Sequence, residues 1–376
     1  MLLRAKHYQT SKKSDITFEH GVIKDIGPVS STAADFEAQW VAPAFFDLQI
    51  NGCGGFSFNS STLTLEQIRS IAQTCREHGI GAFCPTLITN SFEALAHGFE
   101  TLRQAREHEP YLSNALPAFH LEGPYISPED GPRGAHPKEH VRPPDWDEFA
   151  KWQDHAGGCI RLVTLAPEWP ESPRFIEQLV DHGVVVAIGH TTANSQQIQD
   201  AISAGAKLST HLGNGAHGIL PRHPNYIWDQ LAADELQTSL ICDGFHLPPA
   251  VVKCFLRVKT PERLILTCDA SSLAGLPPGQ YQEWGQSLEV SAEGKVVVSG
   301  TPYLAGSGVF LDSCVRTMLE LTDATLFDVL AMATNHPREL LDLPVPSIEV
   351  GQRADLILFD HDDKTSFHLR RIVPSQ

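Results

Sequence analysis

From Val41 onward, apolar strand-like runs alternate with amphipathic helical stretches at spacings of about 20 to 40 residues, and no other feature constrains the fold as strongly. Eight runs read as strands: 45–50, 80–87, 115–121, 160–165, 184–188, 206–210, 236–241 and 263–267. The stretches between them begin and end as helices do. In 64–78, Thr64 and Glu66 suit the first turn and Gly79 the stop, and 175–182 before Gly183 and 195–204 before Gly205 repeat that ending. Eight such units within about 300 residues fit a (β/α)8 barrel better than an open doubly wound sheet, because no glycine-rich dinucleotide turn follows the first strand.

The chain ends have a different texture. Residues 1–42 hold short β-like pieces interrupted by Gly27 and Pro28, and 349–360 (EVGQRADLILFD) is β-like again, alternating through Leu356 and Leu358. The expected organisation is a barrel over 43–343, with a small β-sandwich-like domain built from both termini, 1–42 and 344–376. Within the barrel segment, 285–300 reads as a hairpin insertion turning at Glu293-Gly294-Lys295 and returning through Val296–Val298. Helices over 309–321 and 326–333 follow it.

Charge and cysteine usage narrow the partners. With 28 basic against 45 acidic side chains, a formal charge of −17 argues against nucleic acid or an anionic membrane surface. The eight cysteines include no CxxC pair and read as free thiols of a reducing compartment. The first residues turn polar after three positions and no apolar run reaches the ~18 residues of a membrane span, so the expected location is the cytosol.

Barrel enzymes carry their chemistry at the C-terminal ends of the strands. Here strand three ends at Glu122, strand five at Gly189-His190-Thr191, strand six at Thr210-His211-Leu212 and strand eight at Cys268-Asp269-Ala270. A lone strand histidine is more often a core residue than a ligand. Two of them at the ends of successive strands, with a carboxylate on a third, suffice for a catalytic zinc or iron site with an open position. Asp269 is then placed to act as general base. Strand one ends in Gln49 and Asn51, neutral amides that make poor ligands for a second ion, so one metal per chain is expected.

Further candidates surround these ends. The loop 126–136 carries Arg133 and His136 back over the mouth if it folds compactly. Asn214 and Gly215 can offer polar groups to a ligand, Arg222 can bind an anion, and His246 can contact substrate. Asp243 can orient the turn before His246, while His217 and His223 have no assigned role.

Taken together, PAFFDLQINGCGG (43–55), HLEGPYI (120–126), RGAH (133–136), VTLAPE (163–168), GHT (189–191), THLGNG (210–215), DGFH (243–246), TCDA (267–270) and LAGS (304–307) resemble, in order, the N-acetylglucosamine-6-phosphate deacetylases of the amidohydrolase superfamily. The resemblance implies that Glu122, His190 and His211 bind the metal and Asp269 is the acid/base. It also implies that His136 and His246 contact the sugar, that Asn214, Gly215 and Arg222 hold the phosphate, and that the protein is a homodimer. The chain departs from the family where THLGNGAHG replaces the usual THLFNAM, in the PRHPN segment and at Phe245. All of these lie on the substrate side.

The expected reaction is therefore metal-dependent removal of acetate from an N-acetylated amino sugar, most simply N-acetylglucosamine 6-phosphate. Zinc is the first choice of ion, with iron or another divalent metal as alternatives. The competing readings are another N-acetylhexosamine as substrate, an N-acyl-D-amino-acid or cyclic-amide hydrolase, or a sugar-binding barrel without catalysis.

Overall fold

The computed structural model describes residues 1–283, 286–301, 304–362 and 366–373. Its central sheet has eight strands: β1 (Phe45–Ile50), β2 (Ile80–Ile88), β3 (Phe119–Glu122), β4 (Ile160–Leu165), β5 (Val185–Ile188), β6 (Leu208–Ser209), β7 (Gln237–Ile241) and β8 (Leu264–Thr267). They lie in sequence order and pair in parallel. The sheet closes on itself where Ile50 bridges Ala270 and the Asn51 amide donates to the Ala270 carbonyl at 2.9 Å. Asp47, fully buried on β1, reinforces the seam by accepting from the Thr267 hydroxyl and from the Cys268 amide.

The two-residue period of a strand sorts the interior into layers. Phe46, Ala82, Ala118, Leu162, Ala187, Leu208 and Ile265 form one apolar cluster near the strands' N-terminal ends. Truncating Phe46 to alanine there would cost about 3–5 kcal/mol. Two residues further along come His120, Thr164 and Thr210, with Thr86 paired beside His120. His120 Nε2 bonds Thr164 Oγ1 at 2.8 Å, which bonds Thr210 Oγ1 at 2.8 Å. One more step reaches Glu122. The polar residues on the axis thus pair with one another below the site and leave the topmost positions for chemistry.

Helices cover the outside. Leu65–Glu77 starts with a capping box between Thr64 and Gln67 and buries Ile68, Ile71, Ala72 and Cys75 toward the barrel. Strand three begins at Phe119 and not at 115. Residues Pro110–Ala115 instead form a short helix with proline in its first turn, and Pro117 has no N–H to give a ladder.

The strands of both termini form one six-stranded sheet in the order Ser366–Val373, Leu356–Asp362, Phe36–Pro43, Leu2–His7, Lys13–Glu19, Val22–Pro28. Leu356 pairs with Pro43, so the C-terminal strand lies beside the segment that runs directly into β1. The insertion after β8 has three strands, Gly279–Glu283, Gln286–Val290 and Val296–Val298. The first went unread in the sequence because only alternate residues are even half-buried, so it lacks an apolar run. Gly285, the expected start of the hairpin, lies outside the described residues.

Candidate active site

Glu122 is the last paired residue of β3, whereas His190, His211 and Asp269 each sit two positions beyond the end of their strand, where the backbone departs from the pleat. His190, His211 and Asp269 have φ of 51°, 29° and 51°. That left-handed conformation costs a non-glycine residue roughly 1–2 kcal/mol and tends to persist where surrounding structure enforces it, often at functional sites. Here it turns three side chains out of the strand pleat toward one point above the barrel axis. Nothing in the residue types announces this strain.

At that point Glu122 Oε1 lies 3.1 Å from His190 Nε2 and 3.0 Å from His211 Nε2, and the two imidazole nitrogens are 3.2 Å apart. All three residues are buried. His190 Nδ1–H donates to the Pro132 carbonyl at 2.8 Å, which leaves a lone pair on Nε2. That lone pair faces a carboxylate oxygen, an arrangement that needs a positive centre between them. Burial works to lower the His211 pKa, yet the hydrogen bond and charge of Glu122 bring it above its ordinary value. Burial works to raise the Glu122 carboxyl, and its bonds to the two imidazoles bring it well below the usual range.

A divalent cation fits the same place. One oxygen and two nitrogens at bonds of about 2.0–2.2 Å are the donor set and spacing of a catalytic zinc-type centre. His136 is a fourth candidate, since Glu122, His136 and His190 also bring ligand atoms within 4.8 Å of one another. The donor atoms of Glu122, His190 and His211 lie closer together, 3.0–3.2 Å apart. His136 Nε2 stands 3.9 Å from the other oxygen, Glu122 Oε2, with its Nδ1 bonded to Thr89 Oγ1 at 2.8 Å. Burial pushes its pKa down to about 3, so the ring is neutral.

Asp269 faces this cluster from β8. Burial and the charge of Glu122 push its carboxyl up to about 7 in the metal-free chain, opposed by His211 and His246. His246 is held through Nδ1, which donates to Asp243 Oδ2 at 2.7 Å. Asp243 also accepts the backbone amides of Phe245 and His246, so it fixes both the turn and the ring.

The loop 126–136 does return over the mouth. The Ser127 amide donates to the His190 carbonyl, and His217 Nε2 meets Glu129 Oε2 at 3.2 Å, giving the previously unassigned His217 a role in joining two loops. Arg133 bonds its own loop, at the His136 carbonyl and Asp130. Asn214 is half-buried and donates to the His211 carbonyl at 3.2 Å. Gly215 packs against the His190 ring. Arg222 and His223 are exposed, and the Arg222 carbonyl accepts from Asn225.

Two strand-one residues act differently from expectation. Gln49 and Asn51 turn their amide N–H groups, not their oxygens, toward the acids: Gln49 Nε2 donates to Glu122 Oε1 at 2.9 Å and Asn51 Nδ2 to Asp269 Oδ1 at 2.7 Å. Sequence reasoning also missed Thr89 and the Pro132 carbonyl, for which no local pattern exists.

The amidohydrolase family model matches residues 40–373. The chain is 33% identical to N-acetylglucosamine-6-phosphate deacetylase of Bacillus subtilis over 85% of its own length and 80% of that protein's. It is 30% identical to N-acetylgalactosamine-6-phosphate deacetylase of Escherichia coli O157:H7 over 99% and 97%. Among solved structures, N-acetyl-D-glucosamine-6-phosphate deacetylase of Mycobacterium smegmatis, an aspartate-to-alanine variant in complex with N-acetyl-D-glucosamine-6-phosphate, superimposes with a TM-score of 0.88 at 28% identity, covering 100% and 98% of the two chains.

Proposed function

Because this chain belongs to the N-acetylglucosamine-6-phosphate deacetylases of the amidohydrolase family, we propose that it hydrolyses the acetamide of N-acetylglucosamine 6-phosphate to acetate and glucosamine 6-phosphate. The observation that carries this reading is the convergence of Glu122, His190 and His211 on one point with Asp269 beside them. Glu122, His190 and His211 hold one divalent ion, with zinc favoured by the oxygen-and-imidazole set. Bound there, the ion supplies charge that polarises the acetamide carbonyl and lowers the pKa of water, to ~7 in favourable zinc sites.

The chain's own residues do the rest. Asp269 takes a proton from the attacking water as the new C–O bond forms, then gives it to the nitrogen as the C–N bond breaks, because an unprotonated amide nitrogen is too basic to leave. Neutral His136, with the Thr89 hydroxyl donating to Nδ1, has an Nε2–H to offer the developing oxyanion. His246, whose Nδ1–H is engaged by Asp243, offers Nε2 to a sugar hydroxyl. Asn214 and Gly215, on the loop beside His190, and Arg222 further along it hold the 6-phosphate. The division into 1–42, 43–343 and 344–376, the homodimer and the cytosolic location belong to the same reading.

The direct test is acetate release from N-acetylglucosamine, N-acetylgalactosamine and N-acetylmannosamine, each with and without 6-phosphate. The galacto epimer matters because the E. coli relative, which aligns over nearly the whole chain, is an N-acetylgalactosamine-6-phosphate deacetylase. Preference for an unphosphorylated or non-sugar amide would overturn the reading. Elemental analysis is expected to find about one divalent metal per chain, since the strand-one amides present N–H groups that repel a second cation. Arg222→Ala is expected to raise KM for the phosphorylated sugar roughly ten- to a hundredfold, the worth of a charge-assisted hydrogen bond, and to leave the unphosphorylated sugar almost unaffected. Equal losses on both sugars would make Arg222 structural.

A further inference from the structure

Asn51 is fixed at both ends of its backbone and at one end of its side chain. Its amide pairs with the Ala270 carbonyl, its carbonyl accepts from Phe58, and Nδ2 donates to Asp269 Oδ1 at 2.7 Å. The side-chain orientation follows from chemistry, because an ionised carboxylate only accepts and so must face the NH2 end of the amide. The other end, Oδ1, is buried and has no hydrogen-bond partner among the described residues. Asn51 as a whole is 4% exposed. A buried acceptor without a donor is costly, so native structures seldom keep one without a use. The two ends of a planar amide are joined through one carbon, so this oxygen stands beside the carboxylate that its nitrogen holds.

We propose that Asn51 Oδ1 accepts a hydrogen bond from the N–H of the scissile acetamide, so that one side chain bridges the leaving nitrogen and its proton donor. This rests on the deacetylase reading above and deepens it. A secondary amide has one N–H, and anchoring it turns the nitrogen toward Asp269, which must deliver a proton there as the C–N bond breaks. The bridge also selects chemistry: an ester has no N–H and leaves the Asn51 oxygen unpaired, so the site favours amides beyond what the metal centre alone would dictate.

The test compares Asn51→Ser and Asn51→Asp with wild type on N-acetylglucosamine 6-phosphate and on the matched ester, 2-O-acetylglucose 6-phosphate, with metal content and Tm measured on each protein. Asn51→Ser is expected to lose about ten- to a hundredfold in kcat/KM on the amide and at least fivefold less on the ester, with one metal retained. Asn51→Asp keeps an acceptor but sets a like charge against Asp269, and is expected to lose activity on both substrates. Equal losses on amide and ester in Asn51→Ser would overturn the bridge and leave Asn51 as a holder of Asp269 alone. Loss of metal or a collapsed Tm in Asn51→Ser would also overturn it, by making the residue structural. If wild type releases no acetate from any of the three N-acetylhexosamines, with or without 6-phosphate, it is the deacetylase reading that has failed, a result distinct from either of these.

Discussion

Asp269→Asn is expected to bind its metal, fold normally and lose about 10²–10⁴-fold in turnover. The substitution is isosteric, and asparagine tolerates the left-handed backbone at φ 51° better than most residues. Its amide can turn to present Oδ1 to the Asn51 NH2, so the hydrogen bond at 2.7 Å has a replacement. What disappears is the ability to accept a proton from water and return it to nitrogen. Acetate release, elemental analysis and near-ultraviolet circular dichroism on the same preparation separate these effects. Retention of most of the activity would show that another group is the base, and a sugar-binding barrel without catalysis would show no acetate release in wild type at all.

The pH profile carries the same assignment. Burial beside Glu122 pushes Asp269 up to about 7 in the metal-free chain, and a bound divalent cation pulls the value back down by stabilising the carboxylate. Only the ionised form accepts a proton, so the rate falls as pH is lowered through this pKa. The acid limb of kcat/KM in the metal-loaded enzyme is expected below pH 7 and should be absent from the residual rate of Asp269→Asn.

Gly215→Ala is expected to weaken metal binding by about 10–100-fold although residue 215 is not a ligand, the scale seen when groups that orient a ligand are disturbed. A methyl group there would lie 2.6 Å from Nδ1 and 2.8 Å from Cε1 of His190, and φ at 215 is +54°. The ring has little room to retreat. Its Nδ1–H is held by the Pro132 carbonyl, and the Gly134 backbone lies close on the loop side. The methyl therefore disturbs either the loop or the angle at which Nε2 meets Glu122. Gly218→Ala, on the same loop with nothing near and no positive φ, is the control and should bind metal as wild type does. Unchanged metal affinity in Gly215→Ala would mean that the loop yields freely, and Gly215 would then matter only for substrate.

The barrel was legible because its evidence is periodic and local. Eight apolar runs, capped helices and β-like ends survive as patterns in a linear string, and Glu122, His190, His211 and Asp269 could be singled out because each lies within two residues of the end of such a run. Errors fell where the local signal is weak or mixed, as at 115–118, where the end of a short helix and a proline-containing bend were read as strand, and at Gly279–Glu283, a strand without an apolar run. By itself, then, the sequence determined the alternation of elements, the small domain drawn from both termini and the positions that carry ligand-type side chains. Tertiary structure alone decided the rest. The seam of Asp47 with Thr267 and Cys268 joins residues more than two hundred positions apart, as does the bond from Asn51 to Asp269. No residue type foretells the left-handed turns that aim His190, His211 and Asp269 at one point, or which end of an amide faces an acid. Those depend on which groups meet across space, and hydrogen-bond direction and burial then choose between arrangements that the linear chain leaves equivalent.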